Sequence, residues 1–190
     1  WTLHATGVFR TDKLTLAQTP PHLDEIRQLC PARTTIDYAT FEDIGLEYGP
    51  SFQGLSETLS GQLQSLASLV LPDSLRNSVD AYRSHPAILD AAFQSSGAAA
   101  PPSSDTRARV PVRFAQVRFL GPSSKAAFAY ARSTSDSASD IFVLDKDGRI
   151  LIEVLGFTTA PIGEPVDRLD RWMFELQWKS VPAPTARDLQ

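Results

Sequence analysis

An aspartate and a glutamine four residues apart, Asp90 and Gln94, are the strongest candidates for chemistry in this sequence. Residues i and i+4 lie on one face of an α-helix, so the two side chains can form a hydrogen bond. Asp90 sits in the apolar segment ILDAAF, and such surroundings raise the pKa of a carboxyl and favour its proton-donating form. We interpret Asp90 as a candidate general acid. The spacing equally allows an exposed aspartate with Gln94 beside it.

The sequence offers no comparably placed base. His85 precedes Pro86, where it is either a site residue or a helix-entry residue packed against the sheet. His4 and His22 have no partner carboxylate or nucleophile at a suggestive spacing. A GxSxG elbow and a glycine-rich phosphate loop are both absent from the sequence. The single cysteine and three histidines do not approach the spacing of zinc ligands, so no metal site is predicted.

The segment SHPAILDAAFQSSGAAA, which carries the candidate acid, predicts a helix. Ser84 can cap it, and Pro86 suits the first turn, where a missing N–H costs nothing. The apolar residues of this segment form one helical surface, and its alanines would let a sheet approach closely. We therefore expect a buried central helix.

Two alternating or apolar runs before this helix and four runs rich in Val, Ile, Phe and Tyr after it predict strands. They are FQGLSETLSGQ, LASLVLP, RVPVRFAQVRFLG, AAFAYARST, DIFVLDKDG and RILIEVLGFTTAPI, and WTLHATGVF alternates in the same way. Asp147-Gly148 predicts a hairpin turn. Thr40 is expected to cap a short helix that ends at Gly49-Pro50. The pattern indicates an α+β fold with one helix on an antiparallel sheet.

Composition limits the class of protein. The 190 residues are 42% apolar and 21% charged, which is typical of one globular domain. A net charge of -4 without a dense Lys/Arg cluster argues against nucleic acid as a partner. No apolar stretch approaches the roughly 20 residues that span a bilayer, and the first residues do not resemble a signal peptide. We expect no membrane association and a cytoplasmic location.

Two motifs resemble a known family. YGPSFQGL at 48–55 and HPAILDAAFQ at 85–94 resemble the signature motifs of polyketide synthase dehydratase domains. VPVRFAQVRFLG resembles the strand that follows the central helix of that family. WTLHATG resembles the end of the first half of the domain, and WMFELQW resembles the start of the region after it. The sequence is similar to the C-terminal half of a modular, type I synthase dehydratase.

The resemblance implies a hot-dog fold, a central helix wrapped by a curled antiparallel sheet, as the second half of a double hot dog. This resemblance divides the chain into the end of the first hot dog at 1–10, a linker at 11–35, the C-terminal hot-dog subdomain at 36–165 and a post-dehydratase linker at 166–190. Within the first linker, only the stretch LDEIRQL is expected to form a helical turn or two.

The implied reaction removes water from a (3R)-3-hydroxyacyl thioester to give a trans-2-enoyl thioester. Asp90 is the implied acid and Gln94 its orienting partner. The family's base is a histidine in an HxxxGxxxxP motif, which this sequence lacks. The substrate-binding residues expected from the motifs are Tyr48, Gly49, Pro50, Phe52, His85 and Pro86. Tyr48, Gly49 and Pro50 equally suit a structural turn.

The resemblance implies no cofactor of the chain's own, because an acyl carrier protein holds the substrate on its phosphopantetheine. Expected partners are that carrier protein, the N-terminal hot-dog half, neighbouring synthase domains and a second copy in a homodimeric synthase. Three alternatives remain open: an enoyl isomerase or cyclase on the same scaffold, a non-catalytic structural hot-dog domain, and a single hot-dog thioesterase.

Overall fold

The computed structural model describes residues 2–10, 19–103, 105 and 107–162. The α-helices of this part are α1 (Leu23–Leu29), α2 (Ala39–Asp43) and α3 (Pro86–Gln94). Its strands are β1 (Ala32–Thr35), β2 (Leu55–Gly61), β3 (Gln64–Leu69), β4 (Arg109–Arg113), β5 (Gln116–Phe119), β6 (Phe128–Ser135), β7 (Ala138–Leu144) and β8 (Ile150–Pro161). Single 3₁₀ turns lie at Pro50–Phe52, Asp73–Leu75, Val79–Ala81, Ser95–Ala99 and Ser123–Lys125.

All strand pairs are antiparallel, in the order β1-β2-β3-β6-β7-β8-β4. The long strand β8 pairs with β7 along one edge and with β5 and then β4 along the other. Gly156 marks the change of partner: its φ is +60°, and its N–H donates to Asp140 Oδ1 at 3.0 Å beside a bulge in β7. Bulges and left-handed glycines bend a strand, which lets β8 serve both short partners.

Helix α3 packs on one face of the sheet through small side chains. Its Ala91 and Ala92 are fully buried in a cluster that includes Ala67 of β3 and Ala129 and Ala131 of β6. Alanines meeting alanines bring the helix close to the sheet. The alternate positions of the same strands face the other way, since side chains alternate along a strand.

The opposite face of the sheet is covered by α1. Ile26 of this helix is buried with Tyr130 of β6 and Phe142 of β7. Glu153 of β8, directly across from Phe142, is fully buried and forms an ion pair with Arg118 of β5. The sheet is therefore covered by a helix on both faces, and α3 lies on the alanine side.

The α+β arrangement, helix α3 and the hairpin turn at Asp147-Gly148 are confirmed. Gly148 has φ +80°, and Asp145 Oδ1 accepts from the backbone N–H groups of Asp147 and Arg149 at 2.9 Å each. The run RVPVRFAQVRFLG is divided between β4 and β5. None of the helices within the described ranges is long and apolar enough to cross a membrane.

The predicted helix caps were wrong. His85, not Ser84, caps α3: its Nδ1 accepts from the Ala87 N–H at 3.2 Å. The helix α2 begins at Ala39 and ends at Asp43, well before Gly49-Pro50, and the left-handed Gly45 (φ +86°) follows it.

Two expectations for the first 35 residues also need correction. Residues 23–35, expected in a linker, contain the edge strand β1, whose four exposed residues show no apolar alternation. They also contain α1, which is the stretch LDEIRQL expected to form a helical turn or two. Residues 2–10, expected to continue a strand, form no strand and pair with no described strand. They are exposed. Residues 11–18 and the expected linker at 166–190 lie outside the described residues.

The close approach of the chain to α3 can be tested at Gly54, just before β2. A Cβ there would lie 2.8 Å from Ala91 Cβ, a contact that neither backbone can relieve without moving. We expect Gly54→Ala to lower the free energy of unfolding by about 2 kcal/mol, measured by urea denaturation. Gly49→Ala is the control, because its Cβ would meet no atom within 4 Å. Equal stability of the two variants would contradict the packing described for α3.

Candidate active site

An open cavity of about 290 Å³ lies beside α3. One set of its lining residues is apolar and aromatic and comes from the α2 region, α3 and β8: Phe41, Ile44, Leu46, Tyr48, Phe93 and Phe157. A second set is polar and comes from the β6–β7 hairpin and the approach to β4: Ser133, Ser135, Ser137, Ser139, Arg107 and Arg109. Asp90 and Gln94 also line this cavity.

Helix α3 places Asp90 and Gln94 together on the cavity wall. Gln94 Nε2 donates to Asp90 Oδ2 at 2.8 Å and to the carbonyl oxygen of Phe52 at 3.0 Å. Both side chains are half-buried, because the rest of the α3 surface is packed on the sheet. The hydrogen bond expected between these two residues is present.

A tyrosine from outside the cavity wall completes this group. Tyr38 O–H donates to Gln94 Oε1 at 3.0 Å, and the backbone N–H of Leu55 donates to the Tyr38 oxygen at 2.9 Å. No motif of the sequence indicates Tyr38, which lies 56 residues from Gln94. The only local signal was the aromatic spacing of Tyr38, Phe41 and Tyr48.

These three aromatic rings form one cluster beside the acid. The ring centroids are 5.6 Å apart for Tyr38 and Phe41, 5.9 Å for Tyr38 and Tyr48, and 5.2 Å for Phe41 and Tyr48. Edge-on and tilted contacts at such distances are favourable. The cluster packs the α2 region against Tyr48, and Phe41 and Tyr48 line the same cavity as Asp90.

The electrostatics of the site shift Asp90 toward its protonated form. Burial raises the pKa of its carboxyl, and the hydrogen bond from Gln94 lowers it by less. Burial also raises the pKa of Tyr48 to about 12, with the negative charge of Asp90 as the second cause. A carboxyl with a raised pKa, held beside an apolar cavity, can deliver a proton to a bound oxygen.

The two arginines of the cavity are held by other groups. Arg107 forms hydrogen bonds with Asp105 and holds the pKa of that carboxyl at about 2. Arg109 donates to Thr159 Oγ1 and to the Thr159 carbonyl, both at 3.0 Å. Neither arginine contributes to the pKa of Asp90.

Of the predicted substrate-binding residues, Tyr48 lines the cavity as expected. Gly49, Pro50 and Phe52 form the turn before β2 and are not among its lining residues, although the Phe52 carbonyl accepts from Gln94. The turn therefore supports Gln94 and is not part of the cavity wall, and the assignment of its residues to substrate binding stays a prediction.

His85 and Pro86 lie at the start of α3 and also do not line the cavity. His85 is buried: its Nδ1 caps the helix, its N–H donates to Ser123 Oγ at 2.7 Å, and its ring packs edge-on against Tyr82. The reading of His85 as a helix-entry residue is the one that the structure favours. His4 and His22 are exposed, so none of the chain's three histidines lines the cavity.

The described residues contain no group of three or more His, Cys, Asp or Glu side chains placed to hold a metal ion. The polar groups that line the cavity are the carboxyls of Asp90, Asp105 and Asp136, the Gln94 amide, the Arg107 and Arg109 guanidinium groups and several hydroxyls.

The raised pKa of Asp90 predicts a pH-dependent stability. The folded state favours the protonated carboxyl, so it loses stability relative to the unfolded state as pH rises from the ordinary value of 3.8 through the folded pKa. Asp90→Asn has no such carboxyl and is expected to be more stable than wild type at neutral pH. The gain should shrink as pH falls toward 3.8.

Urea denaturation of both proteins between pH 4 and pH 8 measures this difference. Asp80→Asn, at an exposed position, is the matched control. An Asp90→Asn protein that is less stable than wild type at pH 8 would show that Asp90 is stabilised as a carboxylate.

Comparison with known proteins agrees with this fold. A family model described as the polyketide synthase dehydratase N-terminal domain matches residues 18–168. A phthioceranic/hydroxyphthioceranic acid synthase of Mycobacterium tuberculosis is 35% identical over 139 residues, which cover 69% of this chain and 6% of that protein.

Solved dehydratase domains share the structure. The dehydratase domain from the CurF module of the curacin polyketide synthase superposes with a TM-score of 0.72 at 26% identity and covers 81% of this chain. Two inactive mutants of the CurK dehydratase are also similar. The mutant with an aspartate replaced by asparagine has a TM-score of 0.66 at 25% identity and covers 76% of this chain. The mutant with a histidine replaced by phenylalanine has a TM-score of 0.69 at 26% identity and covers 80%.

This chain spans 56% of the CurF domain, 53% and 56% of the two CurK mutants, and a small part of its curated relatives, such as 6% of the mycobacterial synthase. The hot-dog fold expected from the sequence is confirmed by these structures. Because the family model matches most of this chain, residues 18–168, the chain belongs to the polyketide synthase dehydratase family.

Proposed function

We propose that this chain supplies the general acid of a dehydratase that removes water from a (3R)-3-hydroxyacyl thioester on an acyl carrier protein. One observation carries the proposal. Asp90, the carboxyl that lines the cavity with a raised pKa, is held by a glutamine one helical turn away. A dehydration needs such a group, because hydroxide leaves poorly unless it is protonated as the C–O bond breaks.

The proposed reaction is balanced by two proton transfers. A base takes the proton from the carbon next to the thioester carbonyl, and the electron pair of that C–H bond forms the new double bond. The C–O bond at the third carbon breaks, and Asp90 gives its proton to the departing hydroxyl. Water and a trans-2-enoyl thioester leave, and proton transfer back from the base to the Asp90 carboxylate, directly or through solvent, restores the starting state.

The base is proposed to come from outside this chain. None of the three histidines lines the cavity, and the HxxxGxxxxP motif is absent from the sequence. In the similar CurK dehydratase, replacing an aspartate or a histidine gives an inactive mutant. We assign the role of that aspartate to Asp90, whereas the histidine's role has no counterpart here.

These features support the C-terminal half of a double hot dog. The matching family model is named for the N-terminal domain, but the motif around Asp90 resembles the family's aspartate motif, and the histidine motif is missing. The chain spans a little over half of the solved dehydratase domains. The proposed subdomain runs from 36 to 165 and, given the position of α1 and β1, includes the residues from 23 onward.

The proposed partners follow from this assignment. They are the hot-dog half that carries the histidine, the phosphopantetheine arm of the carrier protein, neighbouring domains of a cytoplasmic synthase and a second copy of that synthase. The mycobacterial relative extends far beyond the matched region, which supports a multidomain setting.

The experiment compares this chain alone with a joined protein, in which the same chain continues from a histidine-bearing dehydratase half. Enoyl product from a 3-hydroxyacyl thioester is measured by chromatography. We expect the joined protein to be active and this chain by itself to be inactive. Asp90→Asn in it should lower kcat by about 10²- to 10⁴-fold, the usual contribution of a general acid.

Asp80→Asn in the joined protein is the control, since Asp80 is exposed and outside the cavity wall. Wild-type activity from Asp90→Asn would refute the assignment of the acid. No dehydration by any joined protein, together with conversion of an enoyl thioester to its positional isomer or to a ring, would replace dehydratase by isomerase or cyclase.

A further inference from the structure

The orientation of the Gln94 amide is set from both ends: by the Phe52 carbonyl, which can only accept, and by Tyr38, whose oxygen already accepts from the Leu55 backbone N–H. The Leu55 backbone N–H can only donate, so the Tyr38 oxygen accepts from it at 2.9 Å and the Tyr38 proton points to Gln94 Oε1 at 3.0 Å. The Phe52 carbonyl can only accept, and it lies 3.0 Å from Gln94 Nε2. These contacts place the amide oxygen toward Tyr38 and the amide nitrogen toward Asp90.

A flipped amide would lose the hydrogen bond to Phe52 and reverse the one to Tyr38, whose oxygen would accept from Gln94 Nε2 while its own proton lost its partner. Gln94 Oε1 would face the Phe52 carbonyl oxygen, and the Tyr38 hydroxyl would have no amide acceptor. A half-buried polar group without a partner is costly. The flip would also turn an acceptor toward Asp90, and a protonated Asp90 would then donate its proton to Gln94.

The orientation decides which oxygen of Asp90 carries the proton. Gln94 Nε2 donates to Asp90 Oδ2, so that oxygen is an acceptor. The proton of the neutral carboxyl therefore lies on Oδ1. A proton on Oδ1 is free to be transferred, whereas a proton shared with an amide oxygen would be held.

We propose that Tyr38 is a positioning residue of the acid: through Gln94, it keeps the transferable proton on the Asp90 oxygen that Gln94 does not contact. Tyr38 is not among the residues that line the cavity, so it acts without touching the substrate. The proposal rests on the proposed function for its effect on rate, but its effect on Asp90 is independent of any activity.

Tyr38→Phe removes the hydroxyl and keeps the ring in its aromatic cluster. In the joined protein, we expect kcat to fall about tenfold, the rate equivalent of one ordinary hydrogen bond, with KM unchanged within about twofold. As a general acid, Asp90 acts only when protonated, so kcat falls as pH rises through its pKa. In Tyr38→Phe this fall should occur at higher pH, because the hydrogen bond that lowers the pKa of Asp90 is lost or reversed.

Gln94→Ala tests whether Tyr38 acts on Asp90 through Gln94. If Tyr38 acts only through Gln94, then Tyr38→Phe/Gln94→Ala should be no slower than Gln94→Ala alone. A double variant that multiplies the two losses would overturn the proposal. So would a Tyr38→Phe enzyme with the kcat and pH profile of wild type, or one in which KM alone changes.

Tyr130→Phe is the matched control. Tyr130 also donates from a tyrosine to a glutamine, to Gln64 Oε1 at 2.5 Å, but on the opposite face of the sheet. It should lose stability without a change in kcat or in the pH profile. A shift of the profile in this control equal to that of Tyr38→Phe would attribute the effect to general loosening of the fold and overturn the proposal.

A direct titration separates this proposal from the proposed function. Carbon NMR of the Asp90 carboxyl in the joined protein should show a higher pKa in Tyr38→Phe than in wild type and Tyr130→Phe, even if wild type dehydrates nothing. If Tyr38→Phe does not fold, 3-fluorotyrosine at position 38 replaces it. That stronger donor polarises the amide and should lower the Asp90 pKa. An unchanged pKa in the folded variant would overturn the proposal.

Discussion

The contact of alanines between α3 and the sheet sets the geometry of the whole site. Ala91 and Ala92 are fully buried against strand positions that are also alanine. Small side chains at both surfaces allow a close approach, and tightly packed interiors transmit any enlargement to their neighbours. The helix is seated close to the sheet, and the turn before β2 contacts it through the Phe52 carbonyl, which accepts from Gln94.

This packing also supports a carboxyl that works against the fold. Burial raises the pKa of Asp90, which means that its ionised form is less stable in the folded chain than in water. One hydrogen bond from Gln94 offsets part of that effect. The apolar cluster beneath α3 stabilises the fold enough to offset the rest of the cost of burying this carboxylate. Asp90 can therefore keep a raised pKa that an exposed aspartate would not have.

Local patterns predicted the parts of the site that are close in sequence. Pro86 at the first turn, apolar positions at helical spacing and the four-residue step from Asp90 to Gln94 are all properties of one short segment, and the structure bears them out.

The cap was wrong because Ser84 and His85 are both plausible acceptors, and only the fold shows that His85 Nδ1 faces the helix. Tyr38 was missed for a related reason: its partner is 56 residues away, and no local period encodes that distance. The exposed edge strand β1 was missed because four solvated residues carry no alternation.

Separate sources for acid and base have a physical advantage in the proposed reaction. The reaction starts with a protonated carboxyl and a neutral histidine. If the two groups were in direct contact, the proton would move from the carboxyl to the imidazole, since an ion pair stabilises both charged forms. The chain keeps Asp90 among aromatic rings, an amide and a backbone carbonyl, and its two cavity arginines are held by Asp105 and Thr159. No cation contributes to the pKa of Asp90 within the described residues. A base carried by another half can then be placed on the far side of the substrate, where the substrate itself separates it from the acid.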